Sequence, residues 1–141
     1  MKKILLLLCT VALIACSKDD ENIQYDNEKG YLTNLESVKF GIVGTWKFAL
    51  SFCNDCYLAH EFNINNEHIK HQHFLPSDSD VYFDEYRYYS YKIEEEDGSF
   101  FVISTPLNSD YWGERQKILI LNKTYIHLDD LVGHKVIYTR Q

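Results

Sequence analysis

From residue 44 onward, apolar and polar residues alternate with a period of two, and the alternation is broken at short intervals by Asn, Asp or Gly. Over Gly44 to Phe52, Trp46, Phe48, Leu50 and Phe52 alternate with Thr45, Lys47, Ala49 and Ser51. That is the pattern of a strand with one buried face. The same pattern predicts strands over 59–64, 67–74, 87–94, 99–104, 116–121, 124–128 and 135–140, several joined by Asn-Asn, Asp-Gly or Asn-Lys turns. No stretch after residue 41 carries a helical period, so the crossover helices that parallel sheets require are missing and neighbours should pair antiparallel. Eight short antiparallel strands close into an up-and-down barrel or split into a β-sandwich, and only closure removes the exposed edges. The expected fold is all-β: a small eight-stranded antiparallel barrel over 41–141, with the sandwich as its alternative.

A chain of 141 residues fits one domain, and two prolines and six glycines exclude collagenous and Pro-rich disordered classes. The formal charge of −7 makes nucleic acid an unsuitable partner.

The N-terminus reads as a processing signal over 1–15. Lys2 and Lys3 precede an apolar run from Ile4 to Ala12, too short for the ~20 residues that span a bilayer. The run ends in Leu13-Ile14-Ala15-Cys16, which resembles the lipobox of bacterial lipoproteins. That resemblance implies cleavage before Cys16 and lipidation of its thiol. Loss of Lys2 and Lys3 takes the formal charge from −7 to −9, so charge cannot hold the chain to an anionic surface. Acyl chains, at ~0.8 kcal/mol per buried CH₂, supply the attachment. Ser17-Lys18-Asp19-Asp20-Glu21 resembles the acidic signal that sends some lipoproteins to the outer face of the outer membrane; a solvated tether is its simpler reading. Residues 16–40 are expected to form a flexible acidic tether with a reach of about 27 Å. Thr33-Asn34-Leu35-Glu36 has the spacing of a capping box, and Leu32, Leu35 and Val38 give one apolar stripe, so a short helix is expected to close one end of the domain.

Ile42-Val43-Gly44-Thr45-Trp46 is similar to the Gly-x-Trp motif that opens the first strand of lipocalins and of bacterial lipocalin-like lipoproteins. The resemblance spans 41–141. It implies that Trp46 packs into the closed end of a barrel, with Arg140 of the last strand lying over it, a cation–π contact of ~0.5–2 kcal/mol. It also implies an interior site for a small apolar molecule, lined by Trp46, Phe48, Phe62, Tyr89 and Tyr91. The chain departs from the family in being much shorter and in carrying the second motif only as Ser109-Asp110-Tyr111, ahead of the strand it should follow.

Cys53 and Cys56 remain for the folded domain and are expected to pair outside the cytosol, since a tight turn at Asn54-Asp55 brings their Cα atoms within ~7 Å. A thioredoxin-like role needs Cys-x-x-Cys opening a helix beside a βαβ unit, and neither is present. A zinc finger from Cys53, Cys56, His68 and His73 nearly fits in spacing, but the intervening segment reads as a hairpin.

A two-residue turn at Asn65-Asn66 would pair Phe62 with Ile69, His60 with His71 and Leu58 with His73. His60, His71 and His73 would then share one face and could hold zinc as three imidazoles plus water. The competing account has these histidines lining the barrel mouth and hydrogen-bonding to tyrosines. The run from Tyr82 to Tyr91 puts aromatics on both faces of one strand, and with Trp112 it offers contact area to a ligand, a glycan or a protein; β-propensity alone also explains it. Asp78, Asp80, Asp84 and Glu85 suggest calcium, but Phe83 occupies the position of the EF-hand glycine, so a solvated loop is expected.

No phosphate-binding Gly-rich loop, nucleophile elbow or His-Glu-x-x-His is found, and a non-enzyme is expected. Three functions stay open: a lipid-anchored envelope barrel binding a small apolar ligand, a non-enzymatic protein-interaction module of inhibitor, immunity or adhesin type with a packed barrel, and a metal site at His60, His71 and His73.

Overall fold

The computed structural model describes residues 22–108 and 113–141. Helix α1 (Leu35–Ile42) precedes eight strands: β1 (Gly44–Ala49), β2 (Tyr57–Phe62), β3 (Glu67–Phe74), β4 (Phe83–Glu96), β5 (Ser99–Pro106), β6 (Glu114–Leu121), β7 (Tyr125–Asp129) and β8 (Lys135–Arg140). Each strand pairs antiparallel with the next, and β8 returns to β1, so the sheet closes into a lipocalin-like barrel without a free edge. This is the barrel expected from the alternation, and the sandwich is excluded.

The alternation places Trp46, Phe62, Val102, Ile118, Ile126 and Leu128 inside, each almost fully buried. Burial of side chains of this size contributes about 1.5–3 kcal/mol each before the entropy of ordering is set against it. α1 plugs one end of the barrel. Its N-cap is Asn34, whose side chain accepts from the Ser37 amide at 2.8 Å, with Glu36 in the first turn and Lys39 in the last complementing the helix dipole. Its buried face carries Ser37, Val38, Gly41 and Ile42. Trp46 Nε1 donates to the Ile42 carbonyl at 2.7 Å, which ties plug to wall. The Arg140 guanidinium lies 4.2 Å from the Trp46 ring and donates to the carbonyls of Val43 (3.0 Å) and Gly41. Gly44, at φ 139°, lets the chain pass from helix to strand beneath that guanidinium.

The structure corrects four expectations. Residues 22–40 do not hang free as a tether: Asp26 and Gly30 form a clip, the Tyr31 amide donates to the Leu121 carbonyl at 2.8 Å, and Tyr31 is buried against the barrel. β1 stops at Ala49, leaving Phe52 exposed in a turn. β4 runs over fourteen residues and takes in Asp84 and Glu85, which were read as loop.

The fourth correction concerns the β2–β3 turn. Asn63 Oδ1 accepts from the amides of Asn65 (2.9 Å) and Glu67 (3.1 Å), while Asn66 adopts φ 61°. Four residues, 63–66, therefore form the connection, and Phe62 pairs with His68 rather than with Ile69. A slip of one residue turns every side chain of β3 to the opposite face. The segments 1–15 and 16–21, Ser109-Asp110-Tyr111 and Trp112 lie outside the described residues. Among the described residues no helix is long and apolar enough to cross a membrane.

Candidate functional site

The five residues expected to line a ligand cavity all face the interior, but they meet one another and their neighbours. Trp46, Phe62 and Tyr91 belong to the central core, with Phe48 packed against it. Phe62 contacts Tyr91 edge-on at 5.0 Å, and Phe48 approaches Tyr138 at 6.1 Å. Tyr89 lies one layer higher, 5.4 Å from the ring of His68.

Above Phe62 the interior turns polar. His60 is paired with Lys70, not with His71, and its Nδ1 lies 2.8 Å from His68 Nε2; His68 Nδ1 in turn lies 2.8 Å from Ser104 Oγ. The two imidazoles stack nearly parallel, flanked by Phe62 and Tyr138. Burial, reinforced by Lys70, holds His60 at about 3; burial, reinforced by His60 and Lys70, holds His68 at about 2. Both rings are neutral at physiological pH. Burial also pushes the Tyr138 phenol up to about 12, helped by Glu114. Across the mouth, Lys70 of β3 forms an ion pair with Glu114 of β6 and lies 5.0 Å from the ring of Tyr89.

The reversed face of β3 sends the other two histidines outward. His71 and His73, two residues apart on one strand, project from the same side of the sheet, and β4 presents Asp84 directly opposite His73. Asp84 Oδ1 contacts His71 Nε2 and lies 3.4 Å from His73 Nδ1. All three ligating atoms fall within 4.8 Å of one another. Hydrogen bonding to His71, with His73 assisting, lowers the pKa of Asp84.

Each imidazole is held by aromatic rings. Tyr86 stacks on His71 at 3.9 Å, Tyr82 on His73 at 4.7 Å, and Tyr57 of β2 touches both. The Tyr57 hydroxyl lies 3.1 Å from His71 Nδ1, and Lys47 Nζ lies 3.6 Å from the Tyr57 ring centroid. Burial, together with Tyr86 and Asp84, raises the pKa of the Tyr57 phenol.

Thus the expected trio of His60, His71 and His73 is not assembled: the barrel wall separates His60 from the other two. Cys53 and Cys56 do form a disulfide, with Cα atoms 5.4 Å apart. Cys56 Sγ accepts from the Leu75 amide at 3.2 Å, so the bridge ties the start of β2, next to Tyr57, to the end of β3.

A cleft of about 980 Å³ opens at the plugged end, between α1, the β2–β3 turn and β4. Ile23, Phe40, Val43, Ile64 and Ile93 supply its apolar walls, and Lys39, Lys92 and Arg140 its basic groups. It lies at the opposite end from the mouth.

Sequence reasoning missed Asp84 and Tyr57 as partners of the histidines. His-x-His in a strand was a legible signal, because it puts two imidazoles on one face. The carboxylate needed the β3–β4 register, which depended on β4 beginning at Phe83. Comparison of the chain with protein-family models, with curated proteins and with solved structures gives no match.

Proposed function

We propose that the chain is a lipid-anchored cell-envelope protein, held to the outer membrane through Cys16, whose barrel is a packed scaffold and whose outer surface contacts a protein partner. The observation that supports this reading is the hydrogen-bonded polar chain inside the barrel: buried His60, His68 and Ser104 are joined to one another above Phe62, and Lys70 pairs with Glu114 across the mouth. An apolar ligand entering from the mouth would have to break that ion pair and strip hydrogen bonds from buried imidazoles. Each polar group left unpaired costs ~1–3 kcal/mol. Outside, Tyr88 and Ile137 are exposed on the wall, and aromatic side chains of this kind favour protein contact.

Native mass spectrometry of the full chain, produced in a bacterial envelope and released in detergent, tests the reading. The expected mass is the acylated polypeptide from Cys16 without a retained small molecule, and Cys16→Ser moves the chain out of the membrane fraction. An apolar molecule retained at one equivalent, or membrane retention of Cys16→Ser, overturns it.

A second reading, binding of a small apolar molecule in the cleft at the plugged end, is supported by the volume and apolar walls of that cleft. In that case a retained molecule is lost in Phe40→Glu or Ile64→Glu, both of which alter exposed side chains and leave the core intact.

A further inference from the structure

We propose that His71, His73 and Asp84, on the outer wall of the barrel, bind a first-row transition-metal dication such as Zn²⁺. This inference is independent of what the barrel contacts. Two imidazole nitrogens and one carboxylate oxygen form a borderline donor set that suits zinc, whereas calcium and magnesium require more oxygen ligands than the site offers. His73 Nδ1 and Asp84 Oδ1 are 3.4 Å apart, which is roughly the separation of two vertices around a tetrahedral ion with bonds of about 2.1 Å. Asp84 contacts His71 directly. Its side chain is half exposed, so the carboxylate has room to swing outward and admit an ion. Three protein ligands leave a fourth coordination position for water.

The surroundings carry the argument beyond a cluster of ligand types. A metal-bound imidazole needs its second nitrogen to donate to a fixed acceptor, which sets the tautomer and the ring orientation. The Tyr57 hydroxyl, 3.1 Å from His71 Nδ1, is placed to accept from it once an ion takes the place of the Nε2 proton that faces Asp84. Tyr86 and Tyr82, stacked on the two rings, hold them in place before any ion arrives. Ligand atoms ordered in advance lose less entropy on binding. The disulfide beside Tyr57 fixes the strand end that carries this hydroxyl.

The test is calorimetric titration of ZnCl₂ into the full-length, chelator-stripped protein in detergent, with Co²⁺ absorption as a second readout of ligand number and geometry. One equivalent is expected to bind, with a cobalt spectrum of four-coordinate character. His71→Ala and Asp84→Asn should each weaken zinc by more than the roughly 10–100-fold that loss of an outer partner brings. Tyr57→Phe keeps the stacking and removes the acceptor, so it should preserve one equivalent and weaken it by about 10–100-fold. His134→Ala removes the exposed His134–Asp130 pair and should change nothing. Zinc binding unchanged in both His71→Ala and Asp84→Asn, abolished by His134→Ala, or absent from the unaltered chain at micromolar free metal overturns the proposal.

Discussion

His60 Nδ1 lies 2.8 Å from His68 Nε2 inside the barrel, and the pair takes protons only with difficulty because burial has removed their water. In the unfolded chain both imidazoles return to an ordinary value near 6.5. Between about pH 6.5 and pH 3 the unfolded state therefore binds protons that the folded state refuses, and stability falls as pH falls. It is fully present above about pH 6.5. Each such proton contributes a slope of roughly 1.4 kcal/mol per pH unit, so the two together approach 3 kcal/mol per unit in mildly acidic solution. Urea midpoints measured from neutral pH down to about 4.5 should show this decline, and His60→Gln should roughly halve it. The carboxyls of Asp26, Asp84 and Asp130, whose pKa values are lowered by their hydrogen bonds, lose their contribution only in stronger acid. A midpoint independent of pH over this window would contradict the neutral pair.

Arg140 acts as a clamp on the plugged end. Its guanidinium covers Trp46 and donates to the carbonyls of Gly41 and Val43, joining the last strand to the helix–strand junction. Arg140→Met keeps the aliphatic stem and deletes every one of these contacts, leaving two carbonyls without their donor. The expected cost is about 2–4 kcal/mol, from one cation–π contact and two charge-assisted hydrogen bonds. Arg140→Lys retains the charge but cannot fork to both carbonyls, so it should fall between Met and the native residue. Equilibrium urea unfolding checks this order, and an Arg140→Met variant within ~0.5 kcal/mol of the native chain would refute the clamp.

The barrel was legible in the sequence because β1 and β7 alternate, with Trp46, Ile126 and Leu128 buried and Phe48 packed against the core, while β5 reads as a short apolar run, Phe100 to Ile103, of strand length. β3 was not legible in the same way. Its inward row is His68, Lys70 and Gln72, whereas Ile69 points outward, so hydrophobicity argued for the wrong face. Lys70 is paired there with Glu114, forty-four residues away, a pairing that no local pattern announces. The turn had to decide the register, and it rested on Asn63 folding its side chain back onto two amides. One residue of slip moved His71 and His73 from an imagined interior trio to a real exterior pair with Asp84. Arg140 over Trp46 was legible only through the lipocalin-like motif, because ninety-four residues separate the two.

Gly30 holds the N-terminal segment to the barrel in a left-handed conformation that glycine adopts without cost, pressed against main chain where a side chain has no room. Its φ is 62°, and a Cβ placed there would lie 2.1 Å from the Leu121 carbonyl oxygen, the same oxygen that accepts from the Tyr31 amide. Gly30→Ala therefore combines left-handed backbone strain, about 1–2 kcal/mol, with a clash against main chain that cannot move aside. The segment has a way out that the barrel strands lack: it can let go. The loss of stability is then limited to the free energy that docks residues 22–34, which rests largely on burial of Tyr31 and amounts to about 2–3 kcal/mol. Native-state hydrogen exchange distinguishes local release from global failure. The Tyr31 amide should lose its protection in Gly30→Ala, while the amides of Trp46 and Phe62 keep most of theirs. Equal loss at all three would mean that the segment is part of the barrel's cooperative core, and unchanged protection at Tyr31 would mean that the clip does not depend on this glycine.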